Sequence, residues 1–214
     1  MSQTIVVKIG GSLLTSVEKL LKELKELSRK RDLRIVIIPG GGIFADTVRR
    51  FSSYLSDDAA HTMAILAMDQ YGIYLSDVGR IRMVDRFEDL DGSRGVTVLL
   101  LSQIMREHDP LPHTWDVTSD TIGAWVAAEL GAMYIKMTDV DGIFLDGKRL
   151  EVVPAHKLKE LRRSCTDPAL PDFLIARGMN CIVLNGRYPE RLWDLIEERP
   201  FKGTVIRGVG RDRS

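Results

Sequence analysis

Lys8 stands two residues before a Gly10-Gly11-Ser12 corner. Glycines at such a corner let backbone N–H groups approach an anion, and a helix that starts there adds a favourable dipole. Lys8 would reach the same anion as a point charge. A second corner, Pro39-Gly40-Gly41-Gly42, is followed by Arg49 and Arg50 one or two turns into an expected helix. Three consecutive glycines cost roughly 0.5–1 kcal/mol each relative to alanine in a regular element, so a close approach to phosphate or a tight corner must favour them. A third stretch, residues 133–142, starts apolar and ends in Thr138, Asp139, Asp141 and Gly142. In an open α/β sheet the carboxyl end of a strand is where ligands sit, although a strand with a plain Asp-Gly turn reads the same way. A calcium loop is set aside because the later acidic ligands are missing.

Two further regions carry polar side chains in unexpected company. Residues 110–120 hold two prolines, His113, Trp115, Asp116 and Asp120, the composition of a rigid substrate loop. Thr118, Ser119 or Asp120 would cap the helix that follows, and Asp120 read alone is a first-turn acid matched to the helix dipole. Asp69 interrupts a long, mostly apolar helix and faces either ligand or solvent.

The elements that must position these residues alternate. Residues 4–9 and 34–38 read as β-branched buried strands. Between them Val17, Leu20, Leu21, Leu24 and Leu27 recur at helical spacing. Helices are expected over residues 45–54, 61–75, 103–107, 121–130, 155–163, 167–177 and 189–198. Further strands are expected over 96–101, 133–138, 150–153, 180–184 and 203–206. Residues 80–95 are polar and read as a hairpin turning at Asp91-Gly92. Alternation of this kind argues a mostly parallel sheet covered on both faces.

Composition narrows the function classes. The chain has 214 residues, 44% of them apolar, enough for a full α/β core. Formal net charge is zero with both signs interspersed, so no basic field points to nucleic acid. Cys165 and Cys181 lack metal-ligand spacing, and no metal ligands are assigned. No signal-peptide pattern or membrane-length apolar run occurs, and a cytoplasmic protein is expected. No Walker A pattern occurs.

Taken in order, Lys8-x-Gly10-Gly11-Ser12, Pro39-Gly40-Gly41-Gly42, Thr138-Asp139-Val140-Asp141-Gly142 and the closing Gly203-Thr204-x-Ile206 resemble the amino-acid kinase family over essentially the whole chain. The resemblance implies one domain over residues 1–214, a three-layer α/β/α sandwich around a mostly parallel open sheet. It implies an acceptor side mainly in the N-terminal half and a nucleotide side mainly in the C-terminal half. It implies ATP with Mg2+, in-line phosphoryl transfer and a homo-oligomer. By the same resemblance Lys8 and Asp120 are catalytic, Asp120 being the aspartate that positions lysines. Gly10, Gly11, Ser12, Thr138, Asp139, Asp141 and Gly142 bind nucleotide. Gly40, Gly41 and Gly42 match the acceptor-side loop, and Arg49 or Arg50, placed soon after it in the chain, would serve the acceptor phosphate beside them.

One departure stands out. Residues 178–183 lack the second ATP-side lysine that several members carry, and Lys148 is the candidate replacement. The loops at 112–120 and 184–191 resemble a branch that converts [5-(aminomethyl)furan-3-yl]methyl phosphate to its diphosphate in methanofuran synthesis. Asp69 or Asp116 would then face the ammonium of that acceptor, because an unpaired charge is expensive in a closed pocket. A uridylate kinase is the alternative enzyme. A non-catalytic nucleotide- or oxyanion-binding protein is the alternative of another class.

Overall fold

A computed structural model describes residues 3–92, 94–161 and 164–208. The chain opens with β1 (Thr4–Ile9), a 3-10 turn and α1 (Val17–Arg31), then β2 (Arg34–Pro39), α2 (Gly42–Phe51) and the long α3 (Asp57–Gly79). β3 (Arg82–Val84), β4 (Gly95–Leu99), α4 (Ser102–His108) and α5 (Ser119–Glu129) follow. The second half comprises β5 (Met133–Thr138), the hairpin β6 (Ile143–Leu145) and β7 (Lys148–Leu150), and β8 (Val152–Pro154). It ends with α6 (Ala155–Leu158), α7 (Leu170–Arg177), β9 (Asn180–Asn185), α8 (Arg191–Ile196) and β10 (Gly203–Arg207).

Eight strands form one sheet in the order β3-β4-β2-β1-β5-β9-β10-β8, and only the β9–β10 pair is antiparallel. Both faces are covered, as a parallel sheet requires. Alternate residues of each strand serve opposite faces. Ile5, Val7 and Ile9 pack with the α1 leucines on one side, while Val6 packs with Trp125, Tyr134 and Leu174 on the other. The architecture is the expected α/β/α sandwich. β1 lies between β2 and β5, so three strand ends meet where ligands collect in such sheets.

Some local expectations change. Residues 80–95 are not a hairpin: β3 runs parallel to β4. α3 is longer than its apolar pattern, because Ser56 caps its start by accepting from the Ala59 amide. α6 ends at Leu158, and the last two residues of the helix expected there lie outside the described residues. Among the described residues no helix is long and apolar enough to cross a membrane.

Candidate active site

Lys8 and Lys136 are register partners on the parallel strands β1 and β5, and their side chains leave the same face of the sheet. Like charges placed directly opposite destabilise a sheet. Asp120, in the first turn of α5, resolves the conflict. Its Oδ1 lies 2.8 Å from Lys8 Nζ and 2.5 Å from Lys136 Nζ. All three residues are buried. Burial alone would raise the Asp120 pKa, but Lys136 and Lys8 outweigh it and hold the carboxyl well below its ordinary range. Burial, reinforced by the neighbouring Lys136 charge, lowers the Lys8 pKa despite Asp120. Lys136 keeps its proton more firmly: burial pulls its pKa down, but Asp120 more than compensates.

Asp120 is itself held in place. Its Oδ2 accepts from the Asp167 amide at 3.1 Å, and its backbone carbonyl accepts from the Tyr134 hydroxyl at 2.8 Å. The Asp167 carboxylate in turn accepts from the amides of Thr118, Thr121 and Leu170 and from both threonine hydroxyls, at 2.6–3.0 Å. These donors lie at the starts of α5 and α7. Thr118 therefore does not cap α5 with its own side chain; Asp167, distant in sequence, does.

The two glycine corners meet. A Cβ on Gly11 would lie 2.0 Å from Gly42 Cα, so neither backbone can recede to admit it. Gly42 also has a φ of +52°, which favours glycine. This tight backbone contact accounts for glycine at both positions.

A cavity of about 300 Å³ opens beside the corners. Lys8, Gly11 and Ser12 line it from the first corner, and Gly41, Gly42, Asp46 and Arg49 from the second and α2. α3 contributes Asp57, Ala60, His61, Ala64, Ile65 and Met68, one helical face. The proline-flanked loop adds His113, Thr114 and Trp115, and Ser119 comes from the start of α5. Arg49 pairs with Asp46 at 2.8 Å and lies over the Trp115 ring, 4.8 Å from its centre. His113 bridges Asp58 at 2.7 Å and Asp109 at 2.8 Å, and stacks on His61 with ring centres 4.0 Å apart. The loop is thereby tied to α3 and to the end of α4.

Three residues expected on the acceptor side do not line this cavity. Asp69 is buried, and its two oxygens accept from the amides of Leu101 at 2.6 Å and Ser102 at 3.1 Å. It caps α4 from a neighbouring helix and does not line the cavity. Asp116 is exposed and also absent from the lining, although its loop neighbours are present. Arg50 is exposed on α2, on a different face from Arg49. Gly10 and Gly40 support the corners without lining the cavity: Gly10 donates to Met137 O and Gly40 to Ile9 O.

The loop after β5 forms a separate polar cluster. Asp141 pairs with Arg191 at 2.7 Å and Lys202 at 2.6 Å, and accepts from Asn185 Nδ2 at 2.9 Å. These partners, Lys202 foremost, hold the Asp141 carboxyl well below its ordinary range. Asp139 lies 3.7 Å from Arg187. The Thr138 hydroxyl donates to Asp139 Oδ1 at 3.4 Å. Gly142, at φ +132°, packs against Thr204, whose hydroxyl donates to Leu150 O and accepts from the Ile143 amide. Lys148 is exposed on the β6–β7 hairpin, with no ion pair among the described residues. The second lysine on Asp120 is Lys136, which the sequence reading passed over. A lysine at the centre of an apolar strand was the available signal. Asp167 and Asp57 gave none.

A model of the amino acid kinase family matches residues 3–80 and 81–185. The chain is 36% identical to the [5-(aminomethyl)furan-3-yl]methyl phosphate kinase of Methanocaldococcus jannaschii, across 96% of this chain and 99% of that protein. Among solved structures it resembles UMP kinase from Ureaplasma parvum, with a TM-score of 0.69 at 19% identity, covering 96% of this chain and 100% of that one. It also resembles uridylate kinase from Archaeoglobus fulgidus, with a TM-score of 0.71 at 18% identity, covering 94% and 99%. At those identities the structures speak to the fold alone.

Proposed function

The chain belongs to the amino acid kinase family, and from that premise we propose that it is an ATP-dependent kinase acting on a small phosphomonoester, [5-(aminomethyl)furan-3-yl]methyl phosphate, to give the diphosphate. The observation that carries the reading is Lys8, buried, braced by Asp120 and Lys136, and lining a cavity built on two glycine corners. An acceptor phosphate oxygen is already anionic near neutral pH. It attacks the γ-phosphorus, a new P–O bond forms, and the bond to the β-phosphate bridging oxygen breaks to release ADP. Such a reaction needs alignment and charge neutralisation more than a general base. That fits a site whose central carboxylate is fully occupied by lysines and an amide. Mg2+ would arrive on the nucleotide phosphates, since it is commonly held by phosphates, waters and few carboxylates.

In this reading the chain is one domain. The acceptor lies in the cavity on the Gly41–Gly42 side, where Arg49 adds a cation. The nucleotide lies towards the loop after β5, where Arg187, Arg191 and Lys202 surround Asp139 and Asp141. Exposed Met63, Leu66 and Ile73 on α3 support a homo-oligomer. The test is ATP turnover with the aminomethylfuran phosphate and with UMP in parallel. Diphosphate formed from the furan in preference to UMP is expected; preference for UMP would overturn the acceptor assignment.

A further inference from the structure

If the acceptor carries an amine, the cavity must offer that amine a counter-charge. We infer that Asp57, together with His61 one helical turn later, forms the subsite for a primary ammonium group on the phosphorylated acceptor. This rests on the reading of the cavity as the acceptor site and names what recognises the acceptor's far end.

Three observations converge on it. Only two carboxylates line the cavity among the described residues, Asp46 and Asp57. Asp46 is engaged with Arg49 at 2.8 Å. Nearby Asp58 is engaged with His113 at 2.7 Å. Asp57 is exposed and has no side-chain ion pair or hydrogen bond among the described residues, which leaves it as the cavity carboxylate free to meet a ligand cation.

His61 is the second observation. It follows Asp57 by four residues, so both side chains leave α3 on the face that lines the cavity. Its ring nitrogens have no hydrogen-bond partner among the described residues, and its only ring contact is the His113 stack. Burial, and then the charge on His113, push its pKa down. The imidazole is thus neutral near pH 7 and can accept a proton donor with one nitrogen. An ammonium has three donors and suits a carboxylate and an imidazole together.

The third observation is polarity along α3. The Tyr71 hydroxyl donates to Gly10 O at 3.4 Å, which fixes that end of the helix beside the first glycine corner. His61 lies ten residues earlier and Asp57 fourteen, nearly three turns and four turns further from the corner. Lys8 and the corner amides mark a cationic end, and Asp57 with His61 an anionic one. Trp115, with Arg49 over its ring, adds an aromatic side chain to the same lining. A zwitterion with a phosphate and an ammonium joined by a flat ring matches that set of features; UMP has no ammonium to match Asp57.

The experiment measures acceptor KM at saturating ATP for wild type, Asp57→Asn and Asp57→Glu. The acceptors are the aminomethylfuran phosphate and the analogue with methyl in place of aminomethyl. Asp57→Asn is expected to raise KM for the amine about tenfold or more, as for loss of a charged hydrogen-bonding partner, and to leave the methyl analogue within a factor of two. Asp57→Glu restores part of the preference. Thermal unfolding of each variant confirms the fold. Equal shifts for both acceptors, or none, would overturn the subsite while leaving the kinase reading intact. Failure of wild type to turn over the amine, with UMP accepted instead, would overturn the subsite and the furan acceptor together.

Discussion

Lys8 and Lys136 sit directly opposite one another in the register of β1 and β5, and one oxygen of Asp120 holds both. The two lysines are not equivalent. Lys8 lines the cavity, whereas Lys136 lies behind it and touches no open space there. On the proposed reading Lys136 therefore serves to fix Asp120, and Lys8 is the charge presented to ligand.

The inequality has a measurable consequence. Removing Lys136 takes from Asp120 the shorter of its two lysine contacts, while Lys8 still compensates its charge. Lys136→Met should lower the denaturation midpoint, through a loss of about 1.5–3 kcal/mol for a hydrogen bond to a charged group. Lys8→Ala should do more to turnover: loss of one transition-state donor lowers kcat by about 10²-fold or more. Near-normal kcat in Lys8→Ala would remove it from the mechanism. A Lys136→Met protein as stable as wild type would contradict the bracing role.

Asp69 and Asp167 cap helices to which they do not belong. Asp69 takes two amides at the start of α4, and Asp167 takes donors at the starts of α5 and α7. Losing the acceptor for a buried amide costs about 1–3 kcal/mol. Asp69→Ala should therefore reduce unfolding free energy by that order or more. Because Asp69 is off the cavity, acceptor KM should change little at temperatures where the variant is folded. A large, selective rise in acceptor KM with unchanged stability would return Asp69 to the substrate site.

These caps mark where sequence reasoning stops. The central strands were legible because they are continuous β-branched runs ending in glycine or polar corners; Lys8 was singled out by its place before the first glycine corner, and Asp120 only by the family resemblance. Local capping rules look a few residues ahead, and therefore assigned the start of α5 to Thr118, Ser119 or Asp120. The actual acceptor, Asp167, is 49 residues from Thr118. Lys136 was overlooked for a related reason: its partner in register is Lys8, and pairing between β1 and β5 exists only once the sheet order is known. The β3–β4 segment misled because its Asp91-Gly92 turn lies within a connection between parallel strands.

Two polar regions flank the triad, and they should separate in kinetics. Asp141 belongs to the cluster with Arg191 and Lys202, and Arg49 belongs to the cavity. Asp141→Ala frees two cations and disturbs the loop after β5, so KM for ATP should change more than KM for the acceptor. Arg49→Met removes a cavity cation and should raise acceptor KM more than ATP KM. Gly41→Val is a poorer probe, since a Cβ there would lie 2.3 Å from Ala45 Cβ and perturb α2 directly. Varying each substrate separately at saturation of the other decides the matter; parallel changes in both KM values would contradict the division.

The stacked pair His61 and His113 should accept one proton readily and resist the second. Hydrogen bonds that the His113 ring donates to Asp58 and then Asp109 raise its pKa above the ordinary 6.5. Burial, with the His113 charge behind it, lowers that of His61 below 6.5. The signs of their stability contributions are opposite. For His113 the stabilising interaction is complete below 6.5 and is lost as pH rises through the raised folded value. For His61 the unfolded chain takes a proton that the folded ring refuses, so stability falls as pH drops below 6.5. Imidazole resonances followed by NMR should show His113 titrating above 6.5 and His61 below it. His113→Gln removes the neighbouring charge and should move the His61 midpoint upward. Burial is the larger cause, so the midpoint should remain below 6.5. A His61 midpoint at the ordinary value in wild type would mean that the ring is solvated and that the loop carrying His113 and Trp115 does not close on α3.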